Sequence, residues 1–263
     1  MATHIFPAIS HGLTGLGDWP NDGERELAMS PSPYSDALAQ PPRGFPPSIQ
    51  GPTVWWSGKD DVLSRPSTLE LGSAGVAEVE QALKHFLGLG LDGNEVSHEN
   101  FPLPVLGSQL RDCAVNIHRG NGICVVRGLA PEKYSAEDNT IIFLGLASYV
   151  ADQRGMQNAK GAMLSHVYES KSWTVPREKR HGIHTNKGLV RPSCLSKDSD
   201  TNAAYQPFHN DMGCEVLAIH IRNCAAQGGQ TYVASAAAIY NALMKTQPWA
   251  VHALAEQNWP VQM

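Results

Sequence analysis

Phe208-His209-Asn210-Asp211, with Gly228-Gly229-Gln230-Thr231 further along, is the stretch on which the reading of this chain turns. Side chains on a strand alternate faces, so a His-x-Asp places the imidazole of His209 and the carboxylate of Asp211 on one side of the pleat. These are two of the three ligands of a 2-His-1-carboxylate facial triad, which holds non-haem Fe(II) and leaves positions open for a co-substrate and O2. The surrounding sequence favours strands. Glu215 to Ile221 is β-branched and apolar and predicts a buried strand directly after the pair. Asn223 to Gly229 reads as a turn of small residues, and Thr231 to Ser235 as a second strand. Ser235 then suits the N-cap of a helix whose apolar face is Ile239, Leu243 and Met244.

Upstream, Gly122-Ile123-Cys124-Val125-Val126-Arg127-Gly128-Leu129 predicts an early strand running into an Arg-Gly turn. Taken with Phe208–Asp211, Val216–Ile221, Ala225–Thr231 and Ala234-Ser235, this order resembles the taurine-dioxygenase-like (TauD/TfdA) family of Fe(II)/2-oxoglutarate oxygenases, in particular its fungal members. The resemblance covers most of positions 100 to 260. It implies His209 and Asp211 as metal ligands, and Thr231 as a residue holding the far carboxylate of 2-oxoglutarate. It also implies Fe(II), 2-oxoglutarate and O2 as cofactor and co-substrates. Tyr205 and Phe208 are candidates to face substrate. The family further uses a distal histidine and an arginine that pairs with the same carboxylate. No residue of this sequence matches either, so an incomplete iron site is expected in residues 1–263.

Other histidines offer weaker alternatives. His220 lies in the strand after the motif, and His252 in a segment opened by Pro248, a residue suited to a first helical turn. A solvated or hydrogen-bonded histidine is the commoner case for both. His181 and His184 could share a helix face, but Gly182 and the basic run from Arg177 to Arg180 argue for a loop.

Composition narrows the class. The 263 residues are 42% hydrophobic, enough to bury a core in one domain. The net charge of −5 gives no footprint for nucleic acid or a membrane surface. No run of about 18 apolar residues predicts a membrane-spanning helix, and Met1 to Pro7 lacks the pattern of a secretory leader. The five cysteines (Cys113, Cys124, Cys194, Cys214, Cys224) are odd in number and lack zinc-ligand spacing, which predicts reduced thiols and a cytoplasmic setting.

The organisation follows. Residues 1–53, interrupted by Pro31, Pro33, Pro41, Pro42, Pro46, Pro47 and Pro52, read as an N-terminal arm or tail. Val54-Trp55-Trp56 would anchor its end in a groove. Residues 54–263 read as the oxygenase domain, its N-terminal portion. Val76, Val79, Leu83, Phe86 and Leu87 predict one amphipathic helix, and Leu110, Ala114 and Ile117 a second. Ser135 and Asp138 form a capping box opening a third, with Ile141, Ile142, Leu144 and Ala147. Lys187 to Gln206 reads as a polar loop ahead of the iron motif.

The fold class expected is α+β: a double-stranded β-helix of jelly-roll or cupin-like form with flanking helices, the C-terminal portion of the barrel not included. An open sheet edge there predicts association, as a homo-oligomer or with a completing chain. The function expected is a non-haem Fe(II)/2-oxoglutarate dioxygenase acting on a small organic molecule, with residues 1–263 by themselves expected to be inactive. Two alternatives stand beside it: a non-catalytic family member serving as a binding protein, and a cupin-like metal enzyme that uses His220 or His252 without 2-oxoglutarate.

Overall fold

A computed structural model describes residues 39–56, 67–156, 161–164, 214–223 and 232–257, and the backbone of 4–8. The described strands are β1 (His4–Ala8), β2 (Thr68–Glu70), β3 (Ile123–Arg127) and β4 (Leu217–Ala218). The described α-helices are α1 (Ser73–Leu89), α2 (Leu106–Arg119), α3 (Ala136–Ala147), α4 (Ala236–Thr246) and α5 (Pro248–Ala255). The strands form one parallel sheet in the order β2-β3-β1-β4. These four strands neither build nor contradict the double-stranded β-helix expected from the sequence.

β3 is one of the two inner described strands, and its composition explains why. Ile123, Cys124, Val125 and Val126 are all buried, as expected for a strand covered on both faces. Alternation divides them. Cys124 and Val126 face the main core with Val79, Phe86, Phe101, Leu106, Leu110 and Ile142. Ile123 and Val125 face a second, smaller cluster with Trp55, packed by Ile219, Ile221 and Val233.

The helices begin and end where local chemistry dictates. α1 buries Val79, Ala82, Leu83 and Phe86 and closes on Gly90 in the left-handed region, φ +67°. Leu87, expected on its apolar face, is instead 49% exposed, although its neighbour Phe86 is fully buried in the core. The start of α2 carries no cap from its own N-cap side chain. The Glu78 carboxylate of α1 supplies one, accepting from Val105 N at 2.8 Å and Leu106 N at 3.0 Å. A carboxylate at that end also meets the positive pole of the helix dipole. α3 opens on the expected capping box. Ser135 Oγ accepts from Asp138 N at 3.0 Å, and Ser135 N donates to Asp138 Oδ2 at 3.3 Å. Buried Asn139 donates to the carbonyls of Pro131 and Ser135, at 2.9 and 2.8 Å, tying the helix to the turn before it. Gly145 leaves room for Phe101, whose ring lies 2.6 Å from where a Cβ would stand.

Two expectations near the C-terminal part are corrected. The strand expected over Glu215 to Ile221 is confined to Leu217–Ala218, half-buried, because β1 pairs with it at only His4↔Leu217 and Ile5↔Ala218. Residues 232–235, expected to be strand, form no ladder and lead directly into α4. Ser235 does cap that helix, accepting from Ala238 N at 2.9 Å. Its buried positions are Ala237 and Ala238, while Ile239 is 43% exposed. Pro248 opens α5 at the first turn, as expected.

Residues 40–56 lie along α4 and α5 rather than forming an element of their own. Trp55 is buried and its indole N–H donates to Asn121 O at 2.9 Å, so it fills the anchoring role; Trp56 is 48% exposed.

Candidate functional site

The residues expected to carry chemistry, His209, Asp211, Thr231, Tyr205 and Phe208, lie outside the described residues, as do His181, His184 and the loop 187–206. What is described is the frame on either side. Before the motif stand the α1–α3 core and β3. After it come β4, Ile219 and Ile221 against Trp55, and α4 with its Ser235 cap. Among the described residues no group of three or more His, Cys, Asp or Glu side chains could hold a metal ion. An apolar cavity lined by Leu110, Val126, Phe143, Leu146 and Ala218 has a volume of only about 20 Å³, too small for an organic substrate.

Two histidines that were alternatives as metal ligands are described. His252, on α5, places Nε2 2.8 Å from Gln40 O. A carbonyl can only accept, so that nitrogen carries a proton and offers no lone pair to a metal. His220 stacks on Phe143, ring centroids 5.5 Å apart at 21°. Burial and then the nearby Arg222 push its pKa down from 6.5 to about 4. The ring is therefore neutral at neutral pH, in an apolar and partly cationic setting unfavourable to a metal cation.

A pH effect follows from His220. Below the ordinary imidazole range the unfolded chain takes up a proton that the folded chain refuses. Its contribution is full above about 6.5, falls as pH drops towards about 4, and is constant below that. Solvent reaches part of the ring and screens it, so the loss should be about 1–2 kcal/mol. His220→Phe keeps the stack and removes the proton. Its urea-unfolding free energy should fall less steeply between pH 6.5 and 4 than the parent's. Equal slopes would assign the pH dependence to other groups.

Two thiols pair inside the core. Cys113 of α2 and Cys124 of β3 are both buried. Their mutual hydrogen bond holds Cys113 below its usual range and pushes Cys124 above it. Cys214, three residues after Asp211, is a free, half-buried thiol.

Comparison with known proteins identifies the class. The family model described as taurine catabolism dioxygenase TauD, TfdA family, matches residues 88–263. The chain belongs to this family, whose members are typically dioxygenases with a cupin-like double-stranded β-helix. It is 35% identical over 202 residues to the taurine hydroxylase-like protein SAT17 of Stachybotrys chartarum, covering 77% of this chain and 49% of that protein. It is 22% identical over 200 residues to the FR-33289 synthase of Streptomyces rubellomurinus, covering 76% and 53% respectively. The chain thus spans about half the length of the curated relatives it matches. No described helix is long and apolar enough to cross a membrane.

Sequence reasoning missed the ties between α4 and the segment 40–56. Their partners are 182 to 194 positions apart, and no local pattern marks them.

Proposed function

We propose that this protein is a non-haem Fe(II)/2-oxoglutarate-dependent oxygenase that hydroxylates or otherwise oxidises a small organic molecule in the cytoplasm. The observation that supports the reading is that the family match spans residues 88–263, the stretch in which His209-Asn210-Asp211 and Thr231 lie. His209 and Asp211 each give one donor atom to the metal. Imidazole must be neutral to do so, so iron affinity should weaken as pH falls through the histidine range. When bound, Fe(II) with 2-oxoglutarate and O2 supplies the oxidising power, and the chain supplies orientation and a water-poor pocket. Thr231 donates its hydroxyl to the far carboxylate of 2-oxoglutarate. Tyr205 and Phe208 face the substrate. Both relatives carry names that imply enzymes, a hydroxylase-like protein and a synthase, which supports turnover in place of a purely binding role.

The test is succinate release from 2-oxoglutarate with Fe(II) and ascorbate under air, using the protein at its native length. Release that requires both Fe(II) and O2 is expected. Protein that binds iron yet never consumes 2-oxoglutarate would defeat the reading.

Thr231→Val probes the co-substrate directly. It keeps the shape of the side chain and deletes the donor. Losing a hydrogen bond to a charged group should weaken 2-oxoglutarate binding by about 1.5–3 kcal/mol, seen as a raised KM with Fe(II) binding intact. A KM equal to the parent's would remove Thr231 from the site.

A further inference from the structure

Cys113 and Cys124 stand opposite one another where α2 packs on β3, and their neighbours fix that placement. One turn after Cys113, the Asn116 amide donates to Ile123 O at 2.8 Å and to Asn121 Oδ1 at 3.0 Å. These bonds join the last turn of α2 to the residue just before Cys124. One turn before Cys113, Leu110 lines the same small apolar cavity as Val126, two residues after Cys124. Positions three apart on a helix share a face, as do positions two apart on a strand. Residues 110, 113 and 116 of α2 therefore run past 126, 124 and 123 of β3, with the two thiols in the middle. Both side chains belong to the main core, and they are in hydrogen-bond contact.

Neither thiol takes part in the oxygenase chemistry. A pair held in contact differs from a single packed thiol, because once one sulfur is oxidised the other lies within reach to resolve it. Sulfurs already in contact close to an S–S length of roughly 2 Å by side-chain rotation. The cavity beside them, about 20 Å³, leaves Leu110 and Val126 room to adjust. The two partners are not equivalent. Cys113 is 5% exposed and Cys124 not at all, so an oxidant meets Cys113 first. The hydrogen bond from Cys124 also holds Cys113 below its usual range, towards the thiolate form that reacts.

We propose that Cys113 and Cys124 form a redox-modification site, at which hydrogen peroxide converts the dithiol into a disulfide that staples α2 to β3. The Cys113 sulfur attacks one peroxide oxygen and the O–O bond breaks. The departing hydroxide takes the proton given up by Cys113 and leaves as water, and Cys113 becomes a sulfenic acid. The Cys124 sulfur then attacks the Cys113 sulfur and the S–O bond breaks. That hydroxide leaves with the Cys124 proton as a second water. Two electrons pass from the thiols to the peroxide, and a dithiol reductant returns them. A reversible disulfide of this kind is the sort that a reducing compartment admits.

Peptide mapping tests this on the folded parent protein at its native length, with a chelator present to keep free iron from decomposing the peroxide. Trypsin cuts after Arg111, Arg119 and Arg127, so Cys113 and Cys124 fall in separate peptides, 112–119 and 120–127. After peroxide treatment a species joining the two, lighter than their sum by two hydrogens, should appear and should vanish with dithiothreitol. In Cys124→Ala the sulfenic acid on Cys113 has no partner, so dimedone should trap it there. Both sulfurs still free at a peroxide dose sufficient to oxidise the half-buried Cys214 would show an inert packed pair and overturn the inference. A joined species that forms only after urea has unfolded the chain would overturn it too, as would a link from Cys113 to any cysteine but Cys124. These three readings come from the parent protein, so they hold whether or not the variant folds.

Discussion

His209→Ala and Asp211→Ala should each lower the affinity for Fe(II) by more than about 100-fold, measured without oxygen on protein of native length. The reasoning is comparative. Removing a group that only supports a ligand typically costs about 10–100-fold in metal affinity, and removing the ligand itself must cost more. A facial triad also fixes its geometry with few protein atoms, so losing one donor loosens the others. The two variants should fail by different routes. His209→Ala removes a neutral donor. Asp211→Ala removes the only carboxylate in the pair, and with it the charge that offsets the dication. His252→Ala serves as the control. Its Nε2 is engaged with the Gln40 carbonyl at 2.8 Å, so iron binding should be untouched. Full affinity in both motif variants, with loss in His220→Ala, would move the metal to the cupin-like alternative.

How far the sequence could be read depended on how local the determining contacts were. The capping box of Ser135 and Asp138, the cap at Ser235 and the proline opening α5 are contacts within one turn, and each was legible. The early strand was legible because four consecutive buried apolar residues, Ile123 to Val126, are hard to place anywhere but in a covered sheet. Face assignments were less secure. Periodicity ranks residues by hydrophobicity, and on α4 it selected Ile239, whereas the buried positions are Ala237 and Ala238. The strand after His209-Asn210-Asp211 was overestimated because its apolar content reflects packing of Ile219 and Ile221 against Trp55, not ladder pairing. Of the site, His209 and Asp211 were expected from residue type and spacing and lie outside the described residues. The tie between Asn241 and Ile49 could not be foreseen, because Asn241 reads the backbone of Ile49, and backbone atoms carry no sequence signal.

Gly128→Ala should be among the most destabilising single-methyl changes available in this chain. Gly128 directly follows β3 at φ +107°, where an L residue is strained by about 1–3 kcal/mol. A Cβ there would also stand 2.4 Å from the carbonyl oxygen of Leu71 and 3.0 Å from its Cβ. That carbonyl cannot simply withdraw. Leu71 N donates to Arg127 O at 2.8 Å, and the side chain of Leu71 is buried in the main core, so the exit of β2 is pinned against the turn. Strain and overlap therefore add, and the loss should be about 3 kcal/mol or more, a large share of the stability of an ordinary domain. Gly122 separates the two contributions. It has a comparable positive φ of +87°, but nothing lies within 4 Å of its Cβ position. Gly122→Ala should then show the backbone cost alone, about 1–2 kcal/mol. Urea unfolding of both variants beside the parent measures the difference. Equal, small losses would mean that β2 and the Arg-Gly turn yield to one another, and that the sheet edge is softer than its hydrogen bonds imply.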